Sequence, residues 1–294
     1  MIKNIVFFGS SPYSLIVLKK LRTLPSFSIS AVVTKADKAF GRNQIITKNP
    51  VAQFASNRHL PLLQPLDFDQ EFIRKFADLK PDLVLVVAYG PPFFSQEMID
   101  IPPFKIVNIH PSALPLYRGA TPGPWQIING ETKSAVSFFQ IDALPDHGSI
   151  ITQIPFDISP TETSPSFYQK AFSLAADNLE AVLNSYIRNP AILSPQDHSK
   201  KTYFPKFNQL NAQIDWSWPA DKIGRFVRAL LPWPIAWTYV KNQAGLKLKM
   251  KIFSFDQKPQ SVQIEGKTQA DWSQISLYYQ IIKTSIPRNQ NKQI

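Results

Sequence analysis

Three polar residues in two loops have the types and spacing to stabilise an oxyanion and to move a proton. Asn108 and His110 flank Ile109 at the end of an apolar run, and Asp146 lies in the loop DALPDHG, residues 142–148. Because side chains alternate along an extended segment, Asn108 and His110 project to one side while Ile109 points into the core. An amide and an imidazole that donate to an oxyanion, beside a carboxylate that takes up a proton, suit acyl transfer to an amine. The alternative is a structural His110.

The elements that must position these residues form an alternating pattern. Continuous apolar runs predict strands at 2–8, 28–33, 83–88 and 106–108, and helices are predicted from Pro12 and at 51–58 and 70–79. Further along the chain the pattern predicts a short helix at 125–128, strands at 134–140 and 149–154, and a long helix at 166–187. This alternation predicts an α/β, Rossmann-like domain with a parallel sheet covered on both faces. Such sheets bind ligands at the carboxyl ends of their strands, where Asn108 and His110 fall.

A second, smaller domain follows a polar segment without apolar periodicity. The predicted division is a catalytic domain over 1–189, a linker over 190–212 and a second domain over 213–294; within the last, the pattern predicts a helix at 221–230 and strands at 235–240 and 246–255. In the last strand Lys247, Lys249 and Lys251 alternate with apolar residues, which places the cations on one face. Either an RNA-facing surface or an edge strand protected by lysines explains this pattern.

The positive charge is concentrated in the second part of the chain. Residues 1–205 hold 19 basic and 16 acidic groups, and 206–294 hold 13 and 5, so the net charges are +3 and +8. A basic module on a nearly neutral body suits a phosphate polymer, because its cations displace condensed counterions. The alternative is that the charge only favours solubility.

Several classes of protein and site are excluded by composition and spacing. No apolar run approaches the roughly 18 residues of a membrane-spanning helix, and no export signal is visible at the amino terminus. The absence of cysteine excludes disulfides, thiolate metal sites and a cysteine nucleophile. Gly9 stands alone where the fingerprint of a dinucleotide-binding site needs three glycines. No histidine pair has the spacing of metal ligands, and the G-x-S-x-G motif of a serine nucleophile is absent. We expect a cytoplasmic protein without a metal.

Motifs around the polar trio carry a family resemblance. NIHPSALPLYRGATP, residues 108–122, with Trp125, Asn129-Gly130 and the 142–148 loop, is similar to the pattern of the folate-dependent formyltransferases: Asn-x-His, Ser-Leu-Leu-Pro, Arg-Gly and Asp-x-Gly. FFGS near the start, the loop VVTKADKAFGR at 32–42, and IDWS with RALLPWP in the second domain resemble the branch that formylates methionyl-tRNA. The resemblance covers residues 2 to about 255.

This resemblance implies a reaction and a set of residues. A formyl group would pass from 10-formyltetrahydrofolate to the amine of methionine esterified to initiator tRNA, with Asn108, His110 and Asp146 as the catalytic trio. The residues implied to line the folate pocket are Ser112, Ala113, Leu114, Pro115, Val87, Tyr89, Gly90 and Asp142. Ala113 replaces the family's usual Leu, and His147 replaces a common Thr, which affects the shape of the pocket.

The resemblance also implies tRNA contacts in both domains. The loop at 35–49 matches an insertion that reaches the tRNA acceptor end, and its cations are Lys35, Lys38, Arg42 and Lys48. In the family the second domain is an OB-like barrel that holds the tRNA, which fits Lys247, Lys249 and Lys251. Because residues 263–267 already resemble the barrel's closing segment, we expect a shortened barrel.

Two other functions stay open at this point. Related enzymes formylate amino-sugar nucleotides with the same trio, and a non-catalytic RNA-binding protein could keep the scaffold. The FGR loop and the second domain favour a tRNA acceptor, and the intact trio favours an enzyme. We expect a monomer with tRNA and folate as partners and no membrane partner.

Some residues have plain structural interpretations. Gly119 and Gly148 can satisfy turns, and Arg118 can form a scaffold ion pair. Trp216 and Trp233 are expected in the core rather than as platforms for stacked bases.

Overall fold

The computed structural model describes residues 2–40 and 45–285, and the chain divides into two compact units. The first unit comprises Met1–Arg118, Ala135–Phe156 and Gln169–Thr202. The second comprises Gly119–Ser134, Asp157–Tyr168 and Tyr203–Ile294. The second unit therefore includes two segments from within the predicted catalytic domain over 1–189, and the division predicted from the sequence remains a prediction.

Most helices lie close to where the apolar periodicity predicts them, and those at 96–100 and 272–275 were not predicted. The helices are α1 (Pro12–Thr23), α2 (Pro50–Asn57), α3 (Gln70–Asp78), α4 (Gln96–Asp100), α5 (Pro122–Asn129), α6 (Ser164–Arg188), α7 (Ala220–Ala229) and α8 (Trp272–Ile275). Single 3₁₀ turns follow α6 at Pro190–Ile192, His198–Lys200 and Leu210–Ala212. No helix in the described part of the chain is long and apolar enough to span a membrane.

The strands that precede α6 are β1 (Lys3–Gly9), β2 (Phe27–Val33), β3 (Lys38–Phe40), β4 (Ile45–Thr47), β5 (Leu62–Leu63), β6 (Leu83–Val87), β7 (Ile106–His110), β8 (Lys133–Gln140) and β9 (Ile150–Asp157). Those that follow α6 are β10 (Trp237–Asn242), β11 (Lys247–Ile252), β12 (Phe255–Asp256), β13 (Lys258–Pro259), β14 (Ser261–Ile264), β15 (Gln269–Asp271) and β16 (Tyr279–Ile282).

The first unit is built on the predicted sheet. Its strand order is β5-β2-β1-β6-β7-β8-β9, and the strands from β5 to β7 are parallel. Strand β8 runs antiparallel to β7. The side chains of β6 are buried throughout, as expected of a strand covered on both faces. The Rossmann-like parallel sheet is confirmed.

The start of α1 is fixed against the end of β6. Ser11 caps the helix by accepting from the Ser14 backbone N–H at 3.0 Å, and Pro12 occupies the first turn. The Ser14 hydroxyl donates to the Val87 carbonyl at 2.6 Å. A Cβ on Gly9 would lie 2.7 Å from Ser14 Cβ, so only glycine fits this turn. The carboxyl ends of β1 and β6 are thereby held close together.

The second unit carries a small antiparallel sheet, which confirms the predicted second domain. Its strand order is β15-β14-β11-β10-β16. The strands β15 and β16 follow residues 263–267, where the sequence predicts the barrel to close. Within this unit Trp125 stacks on Phe204 and Phe207, with ring centroids 5.0 and 4.4 Å apart, and donates to the Pro205 carbonyl.

Trp216 and Trp233, the two tryptophans expected in the core, differ from each other. Trp216 is half-buried and donates through its indole N–H to Thr238 at 2.8 Å. Trp233 is 54% exposed, so its expected place in the core is wrong. Proline residues on both sides of Trp233 hold the ring on a turn rather than in a packed element.

Candidate active site

His110 and Asp146 face each other at the carboxyl end of β7. His110 is 5% exposed, and its Nδ1 lies 3.6 Å from Asp146 Oδ1. Its Nε2 lies 3.0 Å from the Tyr117 carbonyl oxygen. Because a carbonyl only accepts, Nε2 carries a hydrogen and donates it. Nδ1 is therefore the nitrogen directed at the carboxylate, at a distance beyond an ordinary hydrogen bond.

Asn108 presents a carboxamide on the same face of β7. Its neighbour Ile109 is 2% exposed and packs in the core, as the alternation predicts, while Asn108 is half-buried. No side-chain hydrogen bond joins Asn108 to another residue in the described ranges. The amide is therefore able to donate to a substrate.

The loop that carries Asp146 depends on a close backbone approach. A Cβ on Gly148 would lie 1.8 Å from the Gln140 carbonyl oxygen, so any other residue would displace the loop. Asp146 itself has φ of +51°, in the left-handed region. Such a conformation costs about 1–2 kcal/mol for a residue other than glycine, and the contacts around the loop must offset this cost.

Hydrogen bonds fix the conformation of residues 112–115, the segment predicted to line a folate pocket. Ser112 is fully buried and donates to the Leu116 carbonyl at 2.7 Å. Ser137 donates to the Ser112 carbonyl at 2.6 Å and accepts from the Leu114 N–H at 3.2 Å. Leu114 is 3% exposed, whereas Ala113 and Pro115 are half-buried. Ala113 and Pro115 are thus the members of this segment that can contact a ligand.

The other predicted folate segment follows β6. Val87 is fully buried, and Tyr89 packs edge-to-face against Phe8, with ring centroids 5.3 Å apart. Burial raises the pKa of Tyr89 to about 12, and its hydroxyl has no partner among the described residues. Gly90 is exposed, with φ of +74° and no atom within 4 Å of where a Cβ would stand. Gly90 therefore borders open space, while Tyr89 belongs to the core.

Asp142 is paired with a histidine. Its Oδ2 lies 2.6 Å from His147 Nδ1, and the His147 ring stacks on His198, with centroids 3.9 Å apart. Desolvation lowers the pKa of His198; His147, Arg118 and Lys201 lower it further, and Asp142 opposes them.

Two residues beside the trio were not assigned a site role from the sequence. Arg118 is 5% exposed and donates through Nη2 to Gln196 Oε1 at 2.5 Å and to His198 Nδ1 at 2.9 Å. Burial lowers the pKa of Arg118, and the carboxylates of Asp146 and Asp142 oppose this. Gln196 is buried and also bonds the Asp146 loop. It lies in a polar segment whose composition gives no signal of such a role.

The cations predicted to contact tRNA in the first unit are placed as follows. Lys35 Nζ lies 3.8 Å from the Tyr89 ring centroid, and Lys48 Nζ donates to Ser56 Oγ at 3.1 Å. Lys38 begins β3, and its side chain lies outside the described part. Arg42 lies outside the described residues.

The lysines of β11 form a face with aromatic rings. Lys247 Nζ lies 3.7 Å from the Tyr239 ring centroid, and Lys249 Nζ lies 4.1 Å from that of Trp237. Desolvation lowers the pKa of Lys249, Lys251 adds to this, and Glu265 opposes it. Strand β11 pairs with β10 on one side and β14 on the other. Because it is a central strand, protection of a sheet edge does not explain the lysines.

Family comparisons account for most of the chain. A model of the formyl transferase family matches residues 3–183, which include the trio, and one of the formyl transferase C-terminal domain matches residues 206–276. The chain belongs to the formyl transferase family. Among the described residues of this formyltransferase, no group of three or more His, Cys, Asp or Glu side chains could hold a metal ion.

Named relatives and solved structures agree with the family. The methionyl-tRNA formyltransferase of Chloroflexus aggregans is 38% identical over 82% of this chain and 77% of its own, and that of Acetivibrio thermocellus is 35% identical over 85% and 78%. In fold, the formyltransferase resembles the methionyl-tRNA formyltransferase from Clostridium thermocellum, with TM-score 0.60 and 14% identity over 97% of this chain and 100% of that one. It also resembles an N-formyltransferase from Helicobacter canadensis in complex with folinic acid and dTDP-3-aminofucose, with TM-score 0.56 and 22% identity over 78% and 80%.

Proposed function

We propose that this formyltransferase moves a formyl group from 10-formyltetrahydrofolate to the α-amino group of methionine on initiator tRNA. The observation that carries the proposal is the His110–Asp146 pair beside an unengaged Asn108 amide, at the end of β7. Relatives at 35–38% identity that bear the name methionyl-tRNA formyltransferase support the choice of acceptor.

The reaction begins with attack of the neutral amine on the formyl carbon. A C–N bond forms, and the carbonyl electron pair moves onto the formyl oxygen as an oxyanion. The Asn108 amide donates to this oxyanion, and so does a protonated His110 through Nδ1, since Nε2–H is committed to the Tyr117 carbonyl. The 3.6 Å separation from Asp146 leaves the Nδ1 proton available to a third atom.

Proton transfer completes the reaction. The attacking amine becomes cationic and releases a proton to the Asp146 carboxylate. As the oxyanion re-forms the carbonyl, the bond between the formyl carbon and the folate nitrogen breaks, and the nitrogen takes up the proton that Asp146 accepted. An α-amino group has an ordinary pKa of about 7.7–8.0, so a useful fraction of the amine is neutral near physiological pH.

The donor is proposed to lie along the ends of β6 and β7. Gly90 borders open space there, and Ala113 and Pro115 are the accessible members of the 112–115 segment. A flat heterocycle fits beside exposed backbone of this kind, and hydrogen bonds to the backbone would orient it.

The acceptor is proposed to use the cationic surfaces. The lysine face of β11 has the charge and aromatic surface that a sugar-phosphate backbone recognises. Lys35, Lys38, Arg42 and Lys48 are the proposed contacts to the acceptor end of the tRNA. We further propose that the enzyme acts as a cytoplasmic monomer.

The test is direct detection of formylmethionine. Purified protein is mixed with 10-formyltetrahydrofolate and methionylated initiator tRNA, and the product is followed by acid gel or mass spectrometry. His110→Ala and Asp146→Asn are the active-site variants, and formylation by the wild type alone is expected. Consumption of folate only with an amino-sugar nucleotide would transfer the proposal to that acceptor, and no turnover with either acceptor would overturn it.

A further inference from the structure

The segment at 194–202, predicted as linker, contacts the Asp146 loop through one buried amide. Gln196 is 6% exposed; its Nε2 donates to the Gly148 carbonyl at 2.7 Å and to the Asp146 carbonyl at 3.1 Å. Its Oε1 accepts from Arg118 Nη2 at 2.5 Å. Carbonyls only accept and a guanidinium only donates, so these partners fix the orientation of the amide.

The same segment also contacts the loop that holds His110. The Thr202 hydroxyl accepts from the Tyr117 N–H at 2.8 Å, and the Thr202 carbonyl accepts from the Arg118 N–H at 2.9 Å. The Tyr117 carbonyl in turn accepts from His110 Nε2. One short segment therefore joins the backbone that orients His110 to the backbone that carries Asp146.

Both contact points lie at strained backbone. Asp146 has φ of +51° and Tyr117 has φ of +58°. Residues other than glycine hold such angles only where surrounding contacts impose them. Gln196 supplies such contacts at Asp146, and Thr202 supplies them at Tyr117.

We propose that Gln196 is a positioning residue, which holds the Asp146 loop so that the carboxylate stays beside His110, where it can accept the proton of the attacking amine. Gln196 acts through the Asp146 backbone and through Arg118, whose charge lies near the Asp146 carboxylate. The expected effect on kcat rests on the proposed function, whereas the claim that Gln196 holds the Asp146 loop in place does not.

The kinetic test compares two substitutions of Gln196, one that removes both the donor and the acceptor of its amide and one that removes only the donor. Gln196→Leu removes all its hydrogen bonds at similar volume, and Gln196→Glu keeps an acceptor for Arg118 but places oxygen against the Asp146 and Gly148 carbonyls. We expect both variants to lose kcat by about 10–100-fold, since small misplacements of reacting groups cost on this order. KM for folate and for tRNA should change by less than about 2-fold, because the Gln196 amide is buried and hydrogen-bonded to Arg118 and to the backbone of the Asp146 loop. A Gln196→Glu variant with wild-type kcat would overturn the proposal.

Asp82→Ala serves as the matched control. Asp82 accepts from the Asn4 N–H at 2.7 Å at the amino ends of β1 and β6, the opposite edge of the sheet from the trio. Its loss should lower the thermal midpoint while leaving kcat unchanged. An equal loss of kcat in Asp82→Ala would show that destabilisation alone explains the Gln196 variants.

A second readout needs no turnover. The imidazole ¹⁵N chemical shifts of His110, measured at a single pH in the free protein, report the surroundings of its ring, which include the Asp146 carboxylate. We expect these chemical shifts to change in Gln196→Leu and not in Asp82→Ala. Unchanged chemical shifts in Gln196→Leu would overturn the positioning role, even if wild-type protein formylates no acceptor and the proposed function itself has failed.

Discussion

The loops around His110 and the lysine face of β11 show two ways of placing charged groups. His110 and Arg118 are each 5% exposed and have directional hydrogen bonds to named partners. Lys247 is exposed and Lys249 half-buried, and their Nζ atoms lie over the rings of Tyr239 and Trp237. Proton transfer needs fixed distances, whereas attraction to a phosphate backbone needs charge of the right sign.

This difference predicts different responses to substitution. In the His110 region, one lost or displaced group should change kcat by orders of magnitude. On the lysine face, single losses should be small and should accumulate with the number of charges removed. The predictions that follow test this contrast, beginning with the largest expected effect.

Substitution of the proton acceptor should have the largest effect. Asp146→Asn keeps the shape of the side chain but removes its basicity, so we expect kcat to fall about 10³-fold, within the range of general acid–base contributions. Single-turnover formylation measures this loss. The double variant with His110→Ala should be little worse than the more damaging single variant, because the two residues act as a unit. Fully multiplicative losses would contradict the coupling.

Substitution of Gly148 should affect the same step through the backbone. In Gly148→Ala the new Cβ would lie 1.8 Å from the Gln140 carbonyl oxygen, which forces the Asp146 loop to move. We expect kcat to fall about 100-fold and the free energy of unfolding to fall by about 1–3 kcal/mol. Formylation kinetics and urea unfolding measure the two losses.

Gly266→Ala is the control for Gly148→Ala. Gly266 has φ of +75° but no atom within 4 Å of where a Cβ would stand, so alanine there adds backbone strain without a clash. Its unfolding free energy should fall by about 1 kcal/mol with kcat unchanged. A similar loss of kcat in both variants would mean that general destabilisation, rather than the position of Asp146, limits the reaction.

The sequence predicted the strands of the sheet better than the hydrogen bonds that position the loops at its carboxyl end. Strands such as β6 are continuous apolar runs, and α1 begins at Pro12, so local composition was sufficient for these elements. Alternation also placed Ile109 in the core correctly. The antiparallel direction of β8 and the buried role of Gln196 depend on contacts between residues distant in sequence. A polar segment gives no periodic signal for such contacts.

Removal of charge from the lysine face should have a smaller and separable effect. We expect the triple variant Lys247→Gln, Lys249→Gln and Lys251→Gln to weaken tRNA binding about 10–100-fold and to flatten its dependence on salt, since each lost phosphate contact reduces the salt slope by about one. The kcat at saturating tRNA should stay at the wild-type value. Filter binding over a range of salt concentrations measures the affinity and the slope.

Single lysine variants sharpen this prediction. Each should lose a fraction of the triple variant's effect, because long-range attraction depends on the summed charge. One variant that accounted for the whole loss would instead indicate a directional contact and would remove the contrast with the His110 region.

The smallest expected effect is a pH dependence of stability at His198. Desolvation lowers the pKa of His198 in the folded protein; the charges of His147, Arg118 and Lys201 lower it further, and Asp142 opposes them. In the unfolded protein the pKa of this histidine is about 6.5. Between these two values the unfolded state binds more protons, so the free energy of unfolding decreases as the pH falls from about 6.5 through the folded pKa. His198→Asn keeps an acceptor for Arg118 and should remove this part of the decrease, whereas His59→Asn at an exposed position should not. Thermal midpoints across the acid range measure the difference, and parallel curves for wild type and His198→Asn would show that the histidine stack leaves stability unaffected.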